Sequence, residues 1–102
     1  MVSQLRIYTI NPGMMDSWLK IFEETIRPLH SRLGIPVERT WVNAEANEFV
    51  WVRSFKDADE IKGKEEAYFA SPERKNLGDI PQQHIVKMEV RVIEPVLVGS
   101  AD

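Results

Sequence analysis

Residues 3–22, SQLRIYTINPGMMDSWLKIF, contain the change of pattern that decides the fold. In SQLRIYTI, Leu5 and Ile7 fall on one side of the chain and Arg6 on the other, which is the period of a β-strand. The NPG turn that follows joins a proline, which fixes its own φ, to a glycine, which can adopt a positive φ. From Met14 onward apolar residues recur at intervals of three and four, which is typical of an amphipathic helix.

The predicted helix contains a proline near its end, in the segment IRPLHSRLG (26–34). Proline removes a helical hydrogen bond, and its ring crowds the preceding turn. The apolar stripe nevertheless continues past Pro28 to Leu29 and Leu33. We therefore expect a kink at Pro28 rather than the end of the helix, with Gly34 closing it.

The rest of the chain predicts two strands, a second helix and a last strand. These are the strands 36–44 and 49–55 joined by the loop EANE, a helix to about residue 70, a short turn at SPER, and a strand over 85–97. Asp57 and Glu60 resemble a capping box that opens the second helix, and Ser71 caps the short turn. The order is that of an α+β, ferredoxin-like βαββαβ fold, an antiparallel sheet with its helices on one face.

Bulk properties limit the classes of protein. The length of 102 residues predicts a single domain, over 3–97, followed by a flexible C-terminal tail at 98–102. The net charge of −3 argues against a nucleic-acid partner, and the absence of cysteine excludes disulfides and thiolate chemistry. With neither a secretory signal nor an apolar stretch of about 20 residues, we expect a cytoplasmic protein without a membrane partner.

The two faces of the predicted sheet differ in character. We expect the helices to cover the aliphatic face, which carries Leu5, Ile7, Val50, Val52, Val86, Met88 and Val90. The opposite face combines aromatic and charged residues, and so much aromatic area is rarely left to solvent. A second copy of the sheet is the simplest cover. The sequence therefore predicts a homodimer, open to a higher assembly of dimers, with interface residues Tyr8, Phe49, Trp51, Phe55 and Glu89.

Three segments resemble the NIPSNAP family of the dimeric α/β-barrel superfamily. They are QLRIYTINPGMMDSWLKIFEETIRPLHSRLG (4–34), NEFVWVRSFKDADE (47–60) and YFASPE (68–73). The resemblance extends over residues 3–95 and implies a dimeric α/β barrel of mostly unassigned biochemistry. The wider superfamily looks like a set of small-molecule enzymes, including cofactor-independent monooxygenases and haem-degrading enzymes, with pockets between sheet and helices. Fold-level analogy of this kind is a weak warrant for a particular reaction.

The best candidate ligand site combines Arg6, Tyr8, Trp51 and Arg53. Adjacent strands place these side chains within reach of one another, and two guanidinium groups beside two aromatic rings can hold a carboxylated or planar ligand. The alternative is that the same residues only pack a dimer interface, with arginine–glutamate pairs.

The two histidines are further ligand candidates, His30 in the first helix and His84 before the last strand. Arg27 and His30 form a basic pair that suits an anion. Alternatively, Arg27 pairs with Glu23 four residues earlier, and His30 interacts with the negative end of the helix dipole. Two histidines without ligand spacing do not indicate a metal or haem, so we predict no metal site and no cofactor.

The function predicted from these features is that of a small homodimeric barrel binding a small aromatic or anionic molecule. A cofactor-independent monooxygenase-like enzyme is the reaction type considered, and the alternative is a non-catalytic protein–protein interaction or structural module. Whether the protein is an enzyme stays open, and no residue is assigned a catalytic role, because no nucleophile motif or phosphate-binding loop is present. A pocket of about 300 Å³ or more with convergent polar groups favours ligand binding, and a closed interior favours the module.

Overall fold

The computed structural model of the chain describes residues 1–96. Within them the strands are β1 (Val2–Ile10), β2 (Val37–Val42), β3 (Glu48–Phe55) and β4 (Ile85–Ile93). The helical segments are α1 (Met15–Ile21), a π-helical turn (Phe22–Ile26), α2 (Arg27–Arg32), α3 (Ala58–Ala70), α4 (Pro72–Leu77) and α5 (Ile80–His84). The predicted order of strands and principal helices is confirmed.

The strands form one antiparallel sheet in the order β2-β3-β1-β4. The helices lie on one face of this sheet, so the predicted ferredoxin-like α+β fold is confirmed. β2 and β4 are edge strands, and the sheet does not close on itself within residues 1–96. A barrel completed by a second copy stays a prediction.

The face beneath the helices carries the aromatic side chains of the sheet. Trp18 of α1 packs edge-on against Tyr8 of β1, with ring centroids 5.8 Å apart. Phe22 of the π-helical turn lies 4.8 Å from Phe49 of β3, centroid to centroid. Together with Trp51 these rings form the main core cluster. Large rings on the helix thus meet large rings on the sheet.

The prediction of which face the helices cover is wrong. The aromatic residues predicted to line an interface between two sheets are buried beneath the helices of their own chain: Tyr8, Phe49, Trp51 and Phe55. Four aliphatic residues predicted to face the helices pair with each other on the uncovered side of the sheet: Leu5, Ile7, Val50 and Val52. Apolar residues point to both faces of the sheet, so alternation alone does not show which face the helices cover. The prediction chose the aromatic face as the one towards another sheet because it carries arginines. The helices instead supply the carboxylate of Glu65 to pair with them.

The remaining predicted interface residue, Glu89, lies on the uncovered face opposite Ile7. It pairs with Lys87 at 3.1 Å and Arg91 at 3.4 Å, and not with the arginines of β1 and β3. The apolar side chains of β4 lie on the helix side, as expected, but the helices do not extend over them. Val86, Met88 and Val90 are therefore exposed.

The first helix continues past Pro28, as predicted, through a π-helical turn. The backbone N–H of Arg27 donates to the carbonyl of Phe22, five residues earlier, so this turn is wider than an α-helical one. Pro28 follows at once, with no N–H to donate. Gly34 closes the helix with a φ of 72°, which glycine adopts without strain.

The predicted caps are confirmed. The Oδ1 atom of Asp57 accepts from the N–H of Glu60 at 3.0 Å, at the start of α3. The Oγ atom of Ser71 accepts from the N–H of Arg74 at 3.1 Å, at the start of α4. Each cap satisfies a backbone donor that the first helical turn leaves free.

The segment before the last strand and the end of that strand differ from the prediction. Residues of the DIPQQ segment form the short helix α5, which the sequence analysis did not predict. β4 ends at Ile93 rather than at residue 97, and the predicted tail at 98–102 lies outside the described residues. Within residues 1–96, no helix combines the length and apolar character that crossing a membrane requires.

Candidate functional site

A cavity of about 80 Å³ lies between the helices and the aromatic face of the sheet. Paired strands supply one wall, because alternate residues of β1 and β3 point to the same side. From this wall Arg6, Tyr8, Trp51 and Arg53 line the cavity. The opposite wall comes from the helical segments and includes His30, Glu65, Tyr68 and Arg74.

Arg53 makes three side-chain hydrogen bonds at the cavity wall. Its Nε donates to the Oε1 of Gln4 at 2.8 Å, and its Nη2 donates to the Oε2 of Glu65 at 2.9 Å. Its Nη1 donates to the Nε2 of His30 at 3.0 Å. Burial, with a smaller contribution from the nearby charge of Arg6, lowers the pKa of Arg53 to about 10. The guanidinium therefore stays charged at neutral pH, held by three different elements.

Arg6 lies beside Arg53 and shares one of its partners. The Nη1 of Arg6 donates to the same Oε1 of Gln4 at 2.9 Å, and its Nε donates to the hydroxyl of Tyr8 at 2.8 Å. Its Nη2 contacts the Sδ of Met88 at 3.4 Å, and a thioether is a weak acceptor. Arg6 thus has donor capacity that no strong acceptor uses, close to the cavity.

His30 is fully buried and neutral. Its Nδ1 lies 2.8 Å from the carbonyl of Ile26, which can only accept, so Nδ1 carries the proton. Its Nε2 is then the acceptor for Arg53. Burial, with the charges of Arg53 and Arg6 adding to it, lowers the pKa of His30 to about 4, despite the opposing hydrogen bond to Ile26. The imidazole therefore positions Arg53 and is not free to act as a base.

Two buried donors of the cavity wall have no acceptor. Trp18 and Trp51 both line the cavity, and both are almost completely buried. Among the described residues, no hydrogen-bond partner lies within reach of either indole Nε1. A buried donor left unpaired costs about 1–3 kcal/mol, so an acceptor that reaches either indole N–H offsets that cost.

The charged side chains that line the cavity are unbalanced. The guanidinium groups of Arg6, Arg53 and Arg74 face the single carboxylate of Glu65. Arg74 is buried, and its Nη1 donates to the carbonyl of Gly78 at 3.0 Å. Because three positive groups surround one negative group, and His30 is neutral, the cavity favours an anion.

A recess of about 300 Å³ adjoins the cavity on the side of β4. The two share several lining residues, namely Phe69, Arg74, Pro81, Ile85 and Met88. A shallower depression of about 690 Å³ runs along the outer side of α3, beside exposed residues such as Lys62 and Glu66. It lacks the convergent buried donors of the cavity, so the cavity and its recess are the candidate site.

A model of the NIPSNAP family matches residues 3–98, nearly the whole chain. The chain belongs to the NIPSNAP family. No curated protein matches this NIPSNAP chain. The resemblance on which the predicted fold partly rests is therefore confirmed.

Solved structures similar to this NIPSNAP chain share its fold over nearly the full length. An uncharacterized NIPSNAP domain protein from Burkholderia xenovorans has a TM-score of 0.85 at 17% identity, covering 94% of this chain and 95% of that one. A NIPSNAP family protein with unknown function from Agrobacterium tumefaciens has a TM-score of 0.85 at 19% identity, covering 98% and 92%. An antibiotic biosynthesis monooxygenase has a TM-score of 0.70 at 15% identity, covering 95% and 100%. At these identities the likeness shows the fold alone.

The structure brings together five of the six predicted ligand residues, inside one chain rather than at an interface. Arg6, Tyr8, His30, Trp51 and Arg53 line the cavity. Whether they bind a ligand stays a prediction. His30 lies in the last turn of α2, as the alternative expected, and is buried there, and the predicted pair of Arg27 with Glu23 is confirmed at 2.9 Å.

His84 does not line the cavity. Its Nε2 lies 2.8 Å from the Oγ of Ser17, and its Nδ1 lies 2.8 Å from the carbonyl of Ile80. Both ring nitrogens of each histidine are therefore engaged, so ligation of a metal or haem by either would break a hydrogen bond. Within residues 1–96, no three His, Asp or Glu side chains converge as a metal site requires.

Four polar residues of the site were not predicted from the sequence: Gln4, Glu65, Tyr68 and Arg74. Gln4 had a signal, because it precedes Arg6 by two positions on β1 and so shares its face. The three helical residues had none, since their place over the sheet depends on how α3 and α4 pack. Burial raises the pKa of Tyr68, which keeps its phenol protonated in the cavity.

Proposed function

We propose that this NIPSNAP chain binds a small molecule through a carboxylate or similar oxyanion held in the cavity. The observation that carries the proposal is the pair of buried indole N–H groups without acceptors, beside an excess of guanidinium groups. Hydrogen bonds to a charged acceptor are stronger than neutral ones. The enclosed volume of about 80 Å³ suits the charged end of a ligand rather than a whole drug-sized molecule.

The test compares acetate with acetamide, which has a similar size and no charge. Trp18 and Trp51 line the cavity and Trp41 is exposed on the other side of the sheet, so a Trp41→Phe background isolates the fluorescence of the cavity. We expect acetate to bind with a Kd of about 1 mM, and acetamide to bind at least about tenfold more weakly. Equal affinities would remove the charge selectivity on which the proposal depends.

Two matched pairs of variants locate the site. Arg6→Gln removes a cavity guanidinium, and Arg27→Gln removes one that pairs with Glu23 outside the cavity. Trp51→Phe removes an unpaired indole N–H, and Trp41→Phe removes an indole on the uncovered face; this pair is made in the wild-type chain and measured by calorimetry, because both substitutions remove a fluorophore. We expect the first member of each pair to weaken acetate binding by about tenfold, and the second to leave it unchanged.

We also propose that two copies pair through the uncovered face of the sheet. The support is its aliphatic row, Leu5, Ile7, Val50 and Val52, which is only partly buried and lies beside an exposed Trp41. Light scattering after gel filtration tests this proposal: the wild type should elute as a dimer, and Ile7→Lys as a monomer. A monomeric wild type at high concentration would contradict it.

The type of reaction, if any, stays a prediction. The fold is shared with an antibiotic biosynthesis monooxygenase, and a shared fold at 15% identity supports no particular chemistry. The cavity supplies binding groups and a fixed imidazole rather than a free base. The proposed function is therefore ligand binding, and the rival class is a non-catalytic interaction module.

A further inference from the structure

We infer that the molecule bound by this chain is an amphipathic carboxylate, with its charged group in the cavity and an unbranched apolar tail in the adjoining recess. This inference rests on the proposed function and adds the chemical class of the ligand. It is carried by separate observations, which concern the recess and β4 rather than the cavity wall.

The recess continues the cavity towards solvent and changes its character. Its volume of about 300 Å³ exceeds that of the cavity, and most of its wall is apolar, from Phe69, Pro81, Ile85, Val86 and Met88. These residues come from α3, α5 and β4. A ligand whose charged end reaches the cavity through this opening therefore leaves its other end against apolar side chains.

Several apolar side chains of the recess are exposed without a cover in the described chain. Val86 is 61% exposed, Met88 is 47% exposed and Phe69 is 59% exposed. Covering such side chains with an apolar tail removes their surface from water, which is favourable in proportion to the area buried.

The charges at the recess suit an anionic ligand that enters here. Arg74 lies at the junction of recess and cavity, whereas the ammonium of Lys87 pairs with Glu89 on the uncovered face. The described lining of the recess includes no carboxylate. The guanidinium carbon of Arg74 lies 5.5 Å from the centroid of the Phe69 ring. Both residues line the cavity as well as the recess, so they lie where the two join.

The size of the recess sets the length of the tail. A volume of about 300 Å³ corresponds to roughly ten groups of the size of a water molecule, at about 30 Å³ each. We therefore expect affinity to rise along a series of straight-chain carboxylates and to level off near about ten carbons.

The experiment measures the Kd of acetate, butyrate, hexanoate, octanoate, decanoate, dodecanoate and tetradecanoate for the full chain at constant ionic strength, below the micellar concentration of each. We expect about twofold to fourfold tighter binding for each added methylene until the plateau. Acetate binding without any dependence on length would overturn this inference and leave the proposed function intact. No binding by acetate or by any longer member would overturn both.

A matched pair of variants on β4 tests the location of the tail. Val86 and Val92 belong to the same strand and are 61% and 59% exposed, but only Val86 lines the recess. We expect Val86→Ser to weaken octanoate binding about threefold, and Val92→Ser to leave octanoate binding unchanged. Equal effects of the two substitutions on octanoate would overturn the placement of the tail in the recess.

Discussion

Alternate residues of each strand form the two faces of the sheet in this NIPSNAP chain, and the helices cover only one of these faces. The covered face combines aromatic rings with two arginines and encloses the cavity. The uncovered face is aliphatic at its centre and carries ion pairs at β4. Polar character therefore does not identify the solvent side of this sheet, because the arginines lie beneath the helices and are paired there.

The difference follows from what each face can offer a charged group. Beneath the helices, Glu65, Gln4 and His30 are fixed in positions where they satisfy the guanidinium of Arg53. On the uncovered face, water competes for Glu89 and its neighbours. A buried ion pair is costly to break from one side, whereas an exposed pair contributes little. The substitutions below should affect the two faces unequally, with effects that decrease from the first to the last.

Replacing an aromatic residue by alanine should give the largest difference in stability between the covered and the uncovered face. Phe49 is 1% exposed beneath the helices, and Trp41 is 45% exposed on the other side of β2 and β3. We expect Phe49→Ala to lower the free energy of unfolding by about 4 kcal/mol, because it leaves a cavity in the core. Trp41→Ala should cost about 1 kcal/mol in urea unfolding at dilute concentration. A larger cost for Trp41→Ala that grows with protein concentration would show that a second copy covers this face.

Removing an arginine should have the next largest effect. Arg53→Ala leaves the carboxylate of Glu65 and the Nε2 of His30 without their donor, and we expect it to cost about 3 kcal/mol in urea unfolding. Arg39 is the control, since it lies on the uncovered face opposite Val52, and its guanidinium stacks on Trp41. Arg39→Ala should change stability by less than about 0.5 kcal/mol. Similar losses in the two variants would contradict the contrast between the faces.

Acidification should act through the covered face. The folded pKa of His30 is about 4 and its ordinary value is 6.5, so between these values the unfolded chain binds more protons and stability falls as the pH is lowered. From about pH 7 to about pH 5, this group should account for about 2 kcal/mol of lost stability. Urea unfolding of the wild type and of His30→Gln at the two pH values measures it, and an equal loss in both proteins would contradict the assignment.

Removing a carboxylate from the uncovered face should have the smallest effect. Lys87, through its hydrogen bond and its charge, lowers the pKa of the partly exposed Glu89, with Arg91 contributing less. Water and salt screen such a pair. We expect Glu89→Gln to leave the urea midpoint unchanged at physiological salt. A clear loss of stability would indicate that this carboxylate is buried, for example against a second copy.

The sequence predicts the order of the strands and principal helices and the caps of the helices, because these depend on local patterns; it predicts neither α5 nor the end of β4. The caps at Asp57 and Ser71, the closure at Gly34 and the path of the helix through Pro28 all follow from neighbouring residues. Which face the helices cover does not follow from neighbouring residues, because the alternation of side chains is the same for both faces. The contact that distinguishes them joins Arg53 to Glu65, twelve residues apart on different elements. The helical wall of the cavity was missed for the same reason.

The π-helical turn at Phe22–Ile26 determines the direction in which the side chains of α2 leave the helix axis. Each residue of an α-helix advances the chain by about 100° around the axis, so one residue more or fewer in this turn redirects α2 by that angle. The direction in which His30 leaves the helix, towards Arg53, is thus specified one turn upstream. Deleting one residue from this turn should therefore abolish the acid sensitivity assigned to His30, although the imidazole itself is still present.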